Sequence, residues 1–244
     1  YIQIFNNSKE LGTLCEPKFG MSTADNNRFV RHWHEIQYNK MLKPLEHKIS
    51  NEDRYNYKWF PYNNGGKYRK WYGNNEDVVN WEYNGAEIKS FKRAVIRNER
   101  FYFDEGLTWT SISSNKLSIR DFKYGYIFSS AGFCIFTSQK EKNAISAFMN
   151  SIVCEKILEI LAPTLNFNVG DIAKLPIFNY IFENCNINKL VEINIKISRQ
   201  DWDSYETSWD FKRHPLIHLK SDNIKLAFNK WSEFTEEQFN QLKL

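Results

Sequence analysis

GYIFSSAGFCIFTSQKEKNAISAFMNSIVCEKILEIL (residues 125–161) contains the change of pattern that decides the fold class. Its first part, 125–136, is dense in aromatic and β-branched residues and predicts strand structure. From Gln139 onward, apolar residues recur at three- and four-residue spacing, which predicts two short helices within 139–161. Pro163 is expected to end the second helix. A change from strands to helices indicates an α+β fold.

The chain before this stretch has the same strand-rich character. The predicted strands lie within RFVRHWHEI (28–36), NYKWF (56–60), DVVNWEY (77–83) and LTWTSIS (107–113). Between them, NNGG (63–66), YGNN (72–75), YNGA (83–86) and DEG (104–106) indicate turns or loop tips. Short strands joined by such turns favour a twisted, mostly antiparallel sheet over about 1–138.

The chain after this stretch is helical, apart from a segment at 162–178, bounded by Pro163 and Pro176, that is predicted to be extended. A third helix is predicted at 186–202 and a fourth at 221–244. The fourth has Ser221 or Asp222 as its N-cap and carries an apolar stripe of Ile224, Phe228, Trp231 and Phe239. We therefore expect a β-rich domain packed on helices at 1–180 and a C-terminal helical region at 181–244.

Composition limits the class of protein. The 244 residues carry a net charge of +4, which permits nucleic-acid binding without requiring it. No apolar run is long enough to span a membrane and no signal peptide is visible, so a cytoplasmic location is expected. The spacing of the four cysteines fits neither zinc ligands nor a disulfide framework. Because the chain opens on Tyr1, we expect it to be part of a longer protein.

Several catalytic motifs are missing from the sequence. It contains no G-x-G spacing, no Pro-Pro pair, no H-E-x-x-H and no nucleophile elbow. We therefore predict no catalytic residues and no cofactor-binding residues in this chain.

Two clusters raise the question of a metal or acid–base site. In RHWHE, His32 and His34 would share one face of a strand, but no third ligand is evident, so a polar strand face is favoured over a metal site. In DWDSYETSWDF (201–211), four carboxylates alternate with aromatics. There we favour a loop that docks its aromatics on the core over a carboxylate site.

The segment 54–75, called here the basic aromatic segment, contains no acidic residue. Its cations are Arg54, Lys58, Lys67, Arg69 and Lys70, and its aromatics are Tyr55, Tyr57, Trp59, Phe60, Tyr62, Tyr68, Trp71 and Tyr72. Cations neutralise phosphates and aromatics stack on bases, so a nucleic-acid surface is one interpretation. A solvated hairpin with lysines extended along apolar surface is the other. A second basic run at 89–100 adds to the first interpretation.

Five stretches resemble one family. They are GMSTADNNRFVRHWHE (20–35), KWFPYNNGGKYRKWYGNNEDVVNWE (58–82), GLTWTSISSNKLSIR (106–120), NSIVCEKILEILAPTLNFNVGDIAKLPI (150–177) and RQDWDSYETSWDF (199–211). The chain resembles the C-terminal part of the PglX-type adenine-specific DNA methyltransferases of BREX phage-defence systems. The helix, N-F-x-V-G-D-I turn and L-P-I of the fourth stretch are similar to target recognition domains of restriction-modification families.

The resemblance implies a function. Such enzymes transfer a methyl group from S-adenosylmethionine to adenine in a defined DNA site, using a glycine-containing loop and an N-P-P-Y-type motif. Neither is present here, so the resemblance implies a recognition module whose partners are double-stranded DNA and the catalytic domain of the same parent chain. S-adenosylmethionine would bind that domain and not this chain. A protein-interaction module that contacts other phage-defence proteins is the alternative.

The candidate DNA-binding residues come from the basic aromatic segment and the strand before it. Lys58, Lys67, Arg69 and Lys70 are predicted to contact phosphates or bases. Tyr62, Asn63, Tyr68 and Trp71 are further candidates, and Arg28 and Arg31 are expected to flank the same cleft.

Overall fold

The computed structural model of the chain describes residues 8–113, 116–162, 164, 166–219 and 221–242, with the backbone but not the side chain of Cys185. Pro163, the predicted helix terminator, lies outside these residues. Within the described ranges, no helix combines the length and the apolar character needed to cross a membrane.

The strands form two four-stranded sheets and a short pair. Their bounds are β1 Lys9–Glu10, β2 Glu16–Lys18, β3 Val30–His32, β4 Trp59–Asn63, β5 Asp77–Asn80, β6 Gly106–Thr110, β7 Arg120–Phe122, β8 Ile127–Phe128, β9 Gly132–Phe136 and β10 Pro176–Ile177. Sheet I has the order β2-β9-β6-β7, sheet II the order β3-β5-β4-β8, and β1 pairs with β10. All pairs are antiparallel except β4 with β8.

Most of the helical structure follows the strands. The α-helices are α1 Asn26–Phe29, α2 Asn51–Arg54, α3 Glu82–Ser90, α4 Gln139–Met149, α5 Ile152–Leu161, α6 Val169–Ala173, α7 Tyr180–Glu183, α8 Cys185–Trp202, α9 Pro215–His218 and α10 Ile224–Gln241. Short 3₁₀ turns occupy Leu11–Thr13, Trp33–Glu35, Tyr38–Lys40 and Glu99–Phe101. The predicted α+β class, with mostly antiparallel sheets and two helices within 139–161, is confirmed.

Each sheet has its own hydrophobic core. Sheet I packs against α4, α5 and α6, where Trp109 and Ile135 meet Ile145, Phe148 and other buried helix residues. The sheet II core is largely aromatic, and its members include Phe29, Phe60, Tyr62, Trp81, Tyr102 and Phe128. Edge-to-face ring pairs, such as Trp81 with Tyr102, stabilise this core in addition to the burial of apolar surface.

One turn joins the two sheets. β8 belongs to sheet II and β9 to sheet I, so the turn 129–131 crosses from one to the other. The Ser129 hydroxyl accepts hydrogen bonds from the backbone N–H groups of Ala131 and Gly132, which closes the turn. A Cβ at Gly132 would lie 2.3 Å from the carbonyl oxygen of Asn63, so only glycine fits this approach.

Three local expectations are corrected. The segment 162–178 is not extended throughout, because Val169–Ala173 forms the short helix α6, which packs its buried Ile172 into the sheet I core. The N-cap of α10 is Asn223, whose side chain accepts from the backbone N–H of Leu226, and neither Ser221 nor Asp222. The YNGA turn is present but does not join two strands, because Tyr83, Asn84 and Gly85 adopt left-handed conformations at a kink inside α3.

The acidic stretch 201–211, which includes the last two residues of α8 and the loop after it, docks its tryptophans, as expected. Trp202 and Trp209 are buried, and Trp209 joins the sheet II core beside Tyr126. Asp203 and Asp210 both lie within ion-pair distance of Arg199. Three carboxylates of this stretch are thus paired with arginines, the third being Asp201 of α8, which pairs with Arg69.

A buried cluster of charges ties α4 to sheet I. The ammonium of Lys142 lies 2.9 Å from a carboxylate oxygen of Glu105 and 2.8 Å from one of Asp121. Burial alone would lower the pKa of Lys142, but the two carboxylates outweigh it and raise that pKa. Burial raises the pKa of Asp121, against the opposing effect of Lys142. The lysine therefore remains charged and compensates two acids that have little access to water.

We expect Lys142→Ala to lower the free energy of unfolding by about 3–5 kcal/mol, because it leaves two carboxylates buried without their cation. The control is Lys140→Ala, an exposed lysine of the same helix, for which a change within about 0.5 kcal/mol is expected. Urea denaturation monitored by tryptophan fluorescence measures both. Equal losses for the two variants would contradict a structural role for the buried cluster.

Candidate nucleic-acid interface

The basic aromatic segment is divided between core and surface. Its first half becomes β4, and the side chains of Tyr62 and Asn63 are buried there, only 1% and 4% exposed. Tyr62 lies within hydrogen-bonding reach of Ser129, and burial raises its pKa well above the ordinary value. In this structure the side chains of Tyr62 and Asn63 lie in the core beneath the surface.

The second half forms a loop that is fastened to sheet I. The backbone N–H of Trp71 donates to the carbonyl of Ile119 at 2.7 Å, and the N–H of Asp121 donates to the carbonyl of Trp71 at 2.8 Å. Trp71 itself has a φ of +71°, a strained value for a bulky residue. The Thr110 hydroxyl donates to the carbonyl of Gly66 at 3.1 Å. These contacts hold the loop 64–75 in one conformation.

A buried arginine lies under this loop. Arg120 is 2% exposed, and its guanidinium reaches the carbonyl of Arg69 and the hydroxyl of Thr110 at 3.5 Å each. Burial lowers the pKa of Arg120 to about 10. Its Nε has no hydrogen-bond partner among the described residues. Arg120 was not among the residues predicted from the sequence, although its position between the apolar Ile119 and Phe122 is a signal of a buried cation.

Three of the four cations predicted to contact DNA have partners within the chain, namely Lys58, Arg69 and Lys70. Lys58 pairs with Glu82 at 3.1 Å. Arg69 pairs with Asp201 at 2.9 Å and stacks over Trp202 at 4.9 Å from the ring centre.

Lys70 is bound differently. It donates to the carbonyl of Asn150, the C-cap of α4, at 2.6 Å. This position suits a cation because helix C-termini carry partial negative charge. Burial lowers the pKa of Lys70.

Lys67 and Tyr68 form the outward tip of the loop. Both side chains are exposed, Tyr68 by 41%. Among the described residues, no carboxylate lies within ion-pair distance of Lys67. The charge of Lys67 is therefore not compensated by any described carboxylate.

Arg28 lies in α1 and Arg31 in β3, on the neighbouring part of the surface. Arg28 pairs with Glu87 at 2.7 Å. Arg31 donates to the backbone carbonyls of Asn27 and Val30, and no described carboxylate is within ion-pair distance of it. Arg31 thus keeps its charge free for an anion, as Lys67 does.

The paired histidines do not form a metal centre in the described part of the chain. His32 and His34 stack with ring centres 5.6 Å apart, and Nδ1 of His32 lies 3.1 Å from a carboxylate oxygen of Asp77. No group of three or more His, Cys, Asp or Glu side chains is placed to hold a metal among the residues that the structure covers.

A polar groove opens where β4 and β8 end, beside α1. It has a volume of about 470 Å³ and is lined by Met21, Ser22, Thr23, Ala24, Asp25, Asn26, Asn27, Tyr62, Asn64, Ser129, Ser130 and Ala131. Hydroxyl and amide groups predominate, and none of these residues is a lysine or arginine. The groove brings the loop of the basic aromatic segment next to the stretch that precedes Arg28 and Arg31, which sequence spacing could not show.

A second cavity, also of about 470 Å³, separates the loop from the C-terminal helix. Tyr68, Arg69, Lys70 and Trp71 line one side, and Trp231, Phe234 and Phe239 of α10 line the other. α10 therefore faces the loop across this aromatic cavity. Part of the apolar stripe predicted for α10 points into the cavity.

Comparisons with known proteins give the family. No family model matches the chain. Over 250 residues the chain is 35% identical to adenine-specific methyltransferase PglX of Lacticaseibacillus casei (strain Zhang). This alignment covers 97% of this chain and 20% of that protein. The chain is 34% identical over 217 residues to adenine-specific methyltransferase BrxX of Escherichia coli O9:H4 (strain HS), which covers 88% of this chain and 17% of that protein.

These alignments run through nearly the whole chain but span only about a fifth of the length of the curated relatives. The resemblance read from the sequence motifs is confirmed by them. The chain matches a region of a PglX-type adenine methyltransferase.

Proposed function

We propose that the chain is a sequence-specific, double-stranded DNA recognition module of an adenine-specific DNA methyltransferase that acts in phage defence. The observation that carries the proposal is the polar groove with uncompensated cations beside it. Lys67 follows Asn64, a lining residue, by three positions, and Arg31 bonds directly to the backbone of the lining residue Asn27. Phosphate contacts by such cations supply affinity and orientation, while neutral polar groups beside them read sequence.

The paired cations also fit this function. Arg28, Lys58 and Arg69 each face a carboxylate at the surface. Exposed ion pairs contribute little to stability, so a DNA phosphate can replace the carboxylate at small cost. Their neutralisation in the free chain also limits binding to unrelated polyanions.

In this proposal, residues 1–180 form the recognition domain and 181–244 a helical region that packs on it through α8 against α4. The methyl transfer and the binding of S-adenosylmethionine belong to a catalytic domain elsewhere in the parent protein. The parent would act in the cytoplasm, where its DNA substrate is.

A protein-interaction module remains the second candidate, and one observation favours it. α10 exposes several large apolar side chains to solvent, among them Ile224 at 89%, Phe228 at 50% and Phe239 at 57%. Exposed apolar surface of this kind marks interfaces with proteins. Other proteins of the same defence system would be the partners. Binding to such a partner would be insensitive to the cations beside the groove.

We expect the affinity of the chain for a random-sequence duplex to fall steeply with salt, and the double variant Lys67→Ala, Arg31→Ala to flatten this dependence. Each lost phosphate contact reduces the slope of log K against log salt by about 0.9. Lys189→Ala, which removes an exposed lysine from α8, is the matched control and should leave the slope unchanged. Fluorescence anisotropy across a salt series measures all three. Absence of binding at low salt would refute the DNA-binding proposal.

We expect Asp201→Asn to change duplex binding in the opposite direction. The amide keeps the size of the side chain but releases Arg69 from its carboxylate, so the slope should steepen by about 0.9. Glu206→Gln removes one negative charge from the loop after α8, where Glu206 forms no ion pair with a described residue, and it controls for net charge. If both variants increase affinity equally, Arg69 does not contact DNA.

We expect no methyl transfer when the chain alone is incubated with duplex DNA and radiolabelled S-adenosylmethionine. The sequence lacks the G-x-G loop and the Pro-Pro motif on which such transfer depends. Incorporation of label into DNA measures the reaction. Any turnover would contradict the division of labour between recognition and catalytic regions.

A further inference from the structure

We propose that the polar groove is the site that reads base edges in duplex DNA, with Asn27 and Ser130 as its principal reading residues and Asn26 and Asn64 beside them. This inference rests on the proposed function, which requires only that the chain binds DNA. It adds where, and with which side chains, the sequence is recognised. Of these four residues, only Asn64 lies in the basic aromatic segment.

The chemistry of the lining argues for a base edge as the ligand. The described lining contains no lysine or arginine and one carboxylate, that of Asp25, so a phosphate would find no compensating charge there. Its hydroxyl and amide groups are also a poor match for an apolar ligand. Base edges present neutral donors and acceptors, and asparagine can bond two positions of adenine at once while serine can bond either kind of group.

Several polar groups at the rim are available. The side chains of Asn27 and Ser130 are exposed and make no hydrogen bond to any described residue. The side-chain carbonyl oxygen of Asn26 accepts a hydrogen bond from the hydroxyl of Thr23. The amide N–H groups of Asn26 therefore remain available as donors. Asn64 uses its amide to donate to Asp77 at 2.8 Å, which leaves its carbonyl oxygen as an acceptor. The rim therefore presents both donors and acceptors.

The walls of the groove are held by backbone contacts. Met21 donates to the carbonyl of Phe128, and Ser130 donates back to the carbonyl of Met21 at 2.9 Å, which fixes the stretch before α1 against the β8–β9 turn. A Cβ at Gly20 would lie 1.9 Å from the Phe128 carbonyl, so the two backbones touch. Rigid placement matters because recognition groups that are ordered before binding lose less entropy on binding.

The cations are placed outside the groove, as base reading requires. The guanidinium of Arg31 is bonded to the carbonyl of Asn27, and Lys67 stands on the loop beyond Asn64. Contacts of these cations with the DNA backbone would orient the duplex, so that a base edge faces the amide and hydroxyl groups of the rim between them. The two kinds of contact are thus carried by different residues and can be separated by mutation.

The test is a selection of bound sequences from a randomised duplex pool, using the chain and its double variant Asn27→Ala, Ser130→Ala. The unaltered chain should enrich a defined motif. The variant should lose the preference at one or more positions of that motif, with affinity for the selected duplex reduced about 5- to 150-fold per contacted base pair. Its affinity for a scrambled duplex should change less than about twofold.

Two controls make the outcome specific. Asn56→Ala removes an exposed asparagine outside the groove and should enrich the same motif as the unaltered chain. The double variant Lys67→Ala, Arg31→Ala should weaken binding to selected and scrambled duplexes alike while keeping the motif. Thermal unfolding of each variant verifies that the fold is retained, and single variants replace the double variant if it does not fold.

The results distinguish the two proposals. An unchanged motif in the groove variant overturns the groove assignment but leaves DNA binding intact. Binding by the unaltered chain without any enriched motif also overturns the groove assignment. No binding to any duplex at low salt overturns the proposed function itself.

Discussion

The close approach between the β8–β9 turn and the end of β4 is the constraint on which the rest of the structure depends. Ser129 donates its N–H to the carbonyl of Asn63 at 3.0 Å, and Gly132 lies so close to the same carbonyl that an added Cβ would be 2.3 Å from its oxygen. Because β8 and β9 belong to different sheets, this contact sets how sheets I and II meet. It also places Asn64 opposite Ser130. The geometry of the polar groove is therefore a direct consequence of the packing between the sheets.

The distribution of charges is the second feature of the molecule. Some cations are buried, some are paired with acids at the surface, and some are exposed without a paired acid among the described residues. Lys142 is buried between two acids and serves the core. Arg120 is buried without a carboxylate contact and sits under the loop. Surface cations such as Arg69 are balanced by acids, which leaves Lys67 and Arg31 as uncompensated charges near the groove. A net charge of +4 thus does not measure the local field at any one surface.

Much of the fold could be predicted from local pattern. The strands β5, β6, β8 and β9, the division of 139–161 into α4 and α5, and the long helix α8 lie where the pattern predicts them, whereas within the predicted strand 28–36 only Val30–His32 is a strand. The candidate interface was harder. Tyr62 and Asn63 were surface candidates because the segment is rich in cations, yet β4 lies between β5 and β8 and is buried on both faces from Phe60 to Asn63. α6 was missed because a short helix between prolines carries too few residues to show a period.

The sequence by itself determined the α+β class, the change from strands to helices near residue 138 and the family, because periodicity and distinctive motifs are properties of the sequence alone. Only the tertiary structure decided which members of the basic aromatic segment reach solvent and which cations are already paired. It alone brought Asn26 and Asn27 to Asn64 and Ser130, residues from distant parts of the chain that carry no shared motif. The physical reason is that burial, ion pairing and groove formation are properties of contacts between segments, and the spacing within one segment contains no information about them.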